Sequence, residues 1–130
     1  MRNFVILLAL ALLFSSPAFA AEPAQALVCE QASIAASATY TGAAIDVSRA
    51  EGFFTVSVNQ VGAGPVDVAY EVSVNGLDWA APAGAEPVIE DAGQGLTFRS
   101  FEPVYAPWMR LKITNTGASA VTITARVAYR

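Results

Sequence analysis

Few residues in this chain of 130 could do chemistry. There is no histidine, which removes the Ser-His-Asp and Cys-His arrangements and the usual catalytic zinc ligand sets. The glycine-rich phosphate signatures and the G-x-S-x-G elbow are also missing. The single lysine, Lys112, sits inside an alternating run that reads as a strand. No nucleophile stands near it in sequence to support Schiff-base or Ser-Lys chemistry. Glu86, Glu90 and Asp91 cluster in a Pro/Gly-rich stretch and could supply a glycosidase pair or oxygen ligands for Ca²⁺. Their spacing matches no named calcium loop, and on an acidic protein they read first as a solvated acidic loop. The expectation is a protein that is not an enzyme, with no metal and no cofactor.

What remains is a set of contact-forming residues. Alternation over 108–114 turns Trp108, Arg110, Lys112 and Thr114 to one face, and Arg126 could join them from the last strand. Such a stripe of cations and an aromatic could hold a sugar or an acidic partner. The same residues could instead form a cross-strand charge ladder with Asp67 and Glu71. Phe53 is the other outward apolar candidate; if it lies beside Trp108, the two make an interaction patch. Cys29 is the only cysteine, so an internal disulfide is excluded. It reads either as a buried thiol or as a partner in an intermolecular disulfide.

The elements that must position these residues are strands. Period-two alternation marks 52–60, 66–74, 108–114 and 120–129, with weaker candidates at 34–40, 44–47, 86–90 and 95–101. Turn signals at Gly62 to Pro65, Asn75-Gly76, Gly93 to Gly95 and Asn115 to Gly117 separate them. No stretch keeps a helical period. Short strands with one apolar face each require two sheets packed face to face. The expected fold is all-β: an antiparallel β-sandwich, jelly-roll or Ig-like, of about eight strands. Asn75-Gly76 between alternating runs predicts a two-residue hairpin turn. That register sets Val74 opposite Leu77 and Val72 opposite Trp79, so Trp79 is expected in the core.

The N-terminal segment has a different purpose. Arg2, the apolar run Phe4 to Phe14 and the small residues Ala18 and Ala20 read as a signal peptide over residues 1–20, cut before Ala21. Eleven apolar residues are fewer than the ~20 that span a bilayer as a helix. Residues 21–33 read as a flexible lead-in or a strand, and 34–130 as the sandwich. The net charge is −4. Without Arg2, six basic residues stand against eleven acidic ones, a net −5. That balance disfavours nucleic acid and anionic lipid as partners. The expected location is secreted or periplasmic.

Two resemblances bear on partners. Ser73-Val74-Asn75-Gly76-Leu77-Asp78-Trp79, followed by Trp108-Met109-Arg110-Leu111, resembles the hairpin and later strand of discoidin-like (coagulation factor 5/8 type C) β-sandwiches, and small β-sandwiches of phage tails and bacterial surfaces carry comparable pairs. That resemblance implies a module binding glycans, lipids or protein surfaces. The last fourteen residues, Gly117 to Arg130, resemble the closing strand of chaperone–usher pilus subunits, which implies completion by a neighbour's strand. In that case residues 21–33, with Leu27 and Cys29 facing a partner, would add to an edge formed by the last strand. The function expected is an exported non-enzymatic sandwich acting through surface contacts, as a structural, adhesion or fibre component. The partner would be another protein or a second copy; the alternative is a small carbohydrate- or ligand-binding module.

Overall fold

The strands follow from alternation wherever alternation holds. In the computed structural model, which describes residues 23–130, Phe54, Val56 and Val58 all turn into the core from one strand. Val66, Val68 and Tyr70, then Met109, Leu111 and Ile113, then Val121, Ile123, Ala125 and Val127, do the same from three others. The expected signal segment, residues 1–20, lies outside the described residues.

Nine strands result among the described residues: β1 (Ala24–Ile34), β2 (Thr39–Thr41), β3 (Ile45–Asp46), β4 (Phe54–Val61), β5 (Val66–Ser73), β6 (Ile89–Ala92), β7 (Gly95–Phe101), β8 (Trp108–Asn115) and β9 (Val121–Tyr129). They form two antiparallel sheets. One has the order β1-β9-β4-β7; the other has the order β2-β8-β5-β6, with β3 also on β8. β2 and β3 pair with β8 in one continuing direction, from Thr39 opposite Thr114 to Asp46 opposite Trp108. Counted as one interrupted strand, they leave eight, ordered 1-8-3-6 and 2-7-4-5. This is the jelly-roll arrangement of paired Greek keys.

The segment expected as a flexible lead-in or a strand is a strand over Ala24–Ile34, but it is not free to pair with a neighbour. β1 pairs with β9 of its own domain over its whole length, from Ala24 opposite Tyr129 to Ile34 opposite Val121. β9 is an interior strand with β4 on its other side. It therefore offers no edge to a neighbour's segment. Two register irregularities, between Leu27 and Cys29 and between Cys29 and Ala32, put an extra residue into β1 at each place. The bulges break alternation. Val28 and Cys29 are thus both buried while Leu27 faces out.

Cys29 is 6% exposed and its thiol reaches the Ile123 carbonyl at 3.6 Å. Burial pushes its pKa up, against a backbone hydrogen bond from Ala125 that lowers it. An intermolecular disulfide would require β1 to leave the sheet; Cys29 is a core residue.

One end of the sandwich is closed by small residues around two buried amides. Asn115 is fully buried at the end of β8. Its Nδ2 donates toward the carbonyls of Ile34, Ala35 and Ser119 at 3.1, 3.1 and 2.8 Å, and its Oδ1 accepts the Gly117 N–H at 2.9 Å. One side chain thus ties the β1–β2 and β8–β9 turns together. Gln60 continues the inward row of β4, and its Nε2 donates to the carbonyls of Gly62 and Gly64. A Cβ on Gly117 would come 2.8 Å from the Gly64 Cα, so the turns meet backbone to backbone. Buried polar groups stripped of partners cost about 1–3 kcal/mol each. Asn115→Ala is expected to destabilise the fold by about 3 kcal/mol in urea melts, with Thr116→Ala at its exposed neighbour costing under about 1 kcal/mol.

Candidate functional site

The three longest connections gather at the opposite end: residues 47–53 between β3 and β4, 74–88 between β5 and β6, and 102–107 between β7 and β8. Beneath them lies an aromatic cluster. Phe54 stacks on Tyr129 at 5.7 Å and meets Phe101 at 5.7 Å, and Phe101 meets Tyr70 at 5.4 Å. The Tyr70 hydroxyl accepts the Val104 N–H at 3.2 Å, fixing the 102–107 loop over the cluster.

The 74–88 loop is held by the outer face of β5 and β8. Glu71 sits opposite Arg110, and Ser73 opposite Trp108. The Arg110 Nε donates to the Glu71 carboxylate at 2.6 Å, and Lys112 Nζ reaches the other oxygen at 3.3 Å. The Arg110 guanidinium lies 4.5 Å from the centre of the Trp79 ring. Gly76 packs on the Trp108 indole, where a Cβ would stand 3.6 Å from the ring. Burial pushes the Glu71 carboxyl up, but the hydrogen bonds and charges of Arg110 and Lys112 outweigh it and hold the group below its ordinary value of 4.5.

This corrects the expected placement of Trp79. Val72 bridges to Ala80, with both N–H···O bonds made, at 3.0 and 3.1 Å. The expected two-residue turn would have set Val72 opposite Trp79. A slip of one residue turns every following side chain to the other face, so Trp79 lies on the outer face against Arg110. The turn differs because side chains take the amides that a hairpin would use. Ser73 Oγ accepts from Asn75 and Gly76, and Asn75 Oδ1 accepts from Leu77 and Asp78. Gly76 has φ +74°, and Asn75 lacks the positive φ that the expected turn needs. Val74, expected inward, is exposed as a result.

The sequence-predicted site residues divide. Trp108, Arg110 and Lys112 share a face as expected, but each is engaged within the chain, as the ladder reading with Glu71 anticipated. Arg126 does not join them: it lies on β9 in the other sheet, opposite Ser57 and Leu27. Phe53 leads into β4 of that same other sheet, whereas Trp108 opens β8. Glu90 and Asp91 are exposed on β6, and the Asp91 N–H donates to Asp67 Oδ1. Among the described residues no group of three or more His, Cys, Asp or Glu side chains could hold a metal ion.

The residues missed from sequence are those the loops present. Leu77 is 81% exposed, Tyr105 80% and Val74 78%, and Val104 is exposed with them; Phe53, expected outward, is exposed too. Two hollows flank the 102–107 loop. One, about 250 Å³, lies over Val47, Phe54 and Met109; the other, about 420 Å³, lies between Tyr70, Pro87 and Phe101. The available signal was the pair Val104-Tyr105 bracketed by Pro103 and Pro107, an apolar pair in a stretch that cannot continue a strand.

No family model matches the chain, and no curated protein matches it. Among solved structures, the crystal structure of Aeromonas hydrophila PliG, a periplasmic lysozyme inhibitor of g-type lysozyme, is similar at 18% identity. The match covers 83% of this chain and 86% of that chain, with a TM-score of 0.45.

A carboxyl held below its ordinary value stabilises the fold at every pH above that value, and the contribution is lost as pH falls through the lowered one. Thermal melts from about pH 6 down to about pH 3 should therefore show a steeper loss of stability in the wild type than in Glu71→Gln. Parallel curves would mean that Glu71 titrates alike in the folded and unfolded chain.

Proposed function

We propose that this chain is an exported, non-enzymatic jelly-roll that binds a protein partner through the loop end of the sandwich, as an adhesion or other surface-contact component. The observation that carries this reading is the concentration of exposed apolar side chains on the loops: of the nine large ones among the described residues, five (Phe53, Val74, Leu77, Val104 and Tyr105) stand on the three long loops at one end. Large apolar side chains held out of the core by an ordered loop are a feature of recognition surfaces. Rigid aromatics at the centre of such a surface supply much of the binding energy.

Charge narrows the partner. The three loops carry Glu51, Asp78, Glu86 and Glu102 against Arg49, with Arg130 at the chain end beside them. An apolar tip within an acidic rim suits a partner surface that is apolar at its centre and basic around it. A glycan is the second reading, supported by the exposed Tyr105 ring beside a hollow of about 250 Å³. Trp108, the indole expected to serve a sugar, packs on Gly76 instead, and Trp79 lies against Arg110.

Photo-crosslinking in the exporting cell separates the readings. A benzophenone amino acid at position 105 is expected to give a discrete adduct with another protein, and the same group at position 63, at the closed end, none. Binding of the purified partner should weaken about tenfold or more on Leu77→Asp or Tyr105→Ser. A g-type lysozyme and a glycan array form separate arms. No protein adduct from position 105, or glycan binding lost with Tyr105→Ser, would overturn the protein-partner reading.

A further inference from the structure

We propose that two copies of this chain associate by pairing β7 with β7 across a twofold axis, joining their four-stranded sheets into one eight-stranded sheet. The proposal rests on the strand edges and is independent of the loop end.

The edges of a sheet present unpaired backbone groups, and proteins ordinarily blunt them. Three of the four edges here are blunted. β1 carries two bulges. β2 and β3 are three and two residues long. β6 is four residues long with a register shift against β5. β7 is different. It runs for seven residues in unbroken register along β4, from Gly95 opposite Gln60 to Phe101 opposite Phe54. No other described strand covers its outer side.

Its side chains suit a second copy of itself. Leu96 and Phe98 point away from the core and are 59% and 63% exposed. In an antiparallel pair, directly opposed residues share a face, so a twofold axis normal to the sheet must pass through one residue position. An axis at Thr97 sets Thr97 against its own copy and Leu96 against Phe98 of the other copy, twice. Thr–Thr and aromatic–aliphatic pairs are both favourable across strands. Arg99, the one charge on β7, then lies opposite Gly95, whose lack of a side chain leaves room for the guanidinium. An axis at Arg99 would oppose the two cations, which excludes that register. No acidic side chain lies on β7, so the pairing brings no carboxylates together on a chain whose net charge is negative.

The oligomeric state of the full exported chain tests this, by sedimentation equilibrium from low micromolar to near-millimolar concentration. A monomer–dimer equilibrium is expected. Phe98→Lys and Leu96→Lys should each raise its dissociation constant about tenfold or more, with unchanged melting temperature at concentrations where both chains are monomeric. Thr97→Cys fixes the register: under mild oxidation it should give a disulfide-linked dimer, whereas Arg126→Cys, on the outer face and two strands in from the β7 edge, should give none. A chain monomeric throughout, a dimer indifferent to Leu96 and Phe98, or equal cross-linking from both cysteines would each overturn the proposal.

Discussion

The presentation of the loop end depends on one guanidinium. Arg110 projects from the outer face of β8, with the Glu71 carboxylate on one side and the Trp79 ring 4.5 Å away on the other. The first contact lies within the sheet, but the second belongs to the loop that follows β5. A cation–π contact is worth about 0.5–2 kcal/mol depending on how dry it is, and here it acts together with the Val72–Ala80 bridge. Together they close the segment 73–79 into a loop whose own hydrogen bonds run through Ser73 and Asn75. With Trp79 turned down onto Arg110, Val74 and Leu77 have no core to enter and stand in solvent. Arg110, which reads as part of a candidate binding stripe, thus serves to hold the surface proposed for binding.

The two ends of the jelly-roll differ in a way that follows from residue size. At the closed end, Gly64 and Gly117 let turns approach backbone to backbone, and Asn115 satisfies the carbonyls they bring inward. Little side chain remains there to meet a partner. At the other end, an aromatic cluster of Phe54, Tyr70, Phe101 and Tyr129 fills the space beneath longer loops. A firm base beneath exposed apolar side chains limits the ordering cost of association, which otherwise opposes binding.

The sandwich was legible because alternation is a direct image of burial. Val66, Val68 and Tyr70, and Met109, Leu111 and Ile113, read correctly as inward rows. β1 was not legible because its two bulges place Val28 and Cys29 inward in succession, and no period survives two insertions in eleven residues. Trp79 was misplaced because Asn75-Gly76 signals a short turn in isolation, whereas Ser73 and Asn75 captured the amides of a longer one. The facing of Trp108, Arg110 and Lys112 could be read from period two, but their engagement with Glu71, Trp79 and Gly76 depended on strand order and loop path. Strand order also decided Arg126, which lies in the opposite sheet from Arg110. Tyr105 carried no period at all; only the prolines around it marked a place where an apolar residue would stay outside.

Amide hydrogen exchange on Arg110→Ala, compared with the wild type, tests the anchoring claim most directly. If Arg110 holds the loop, the amides of 72–80 should exchange about tenfold or more faster in the variant, while those of β4 and β9 keep their protection. Arg110→Lys, which keeps a charge for Glu71 but not a planar group for Trp79, should fall between. Unchanged exchange over 72–80 in Arg110→Ala would contradict the account.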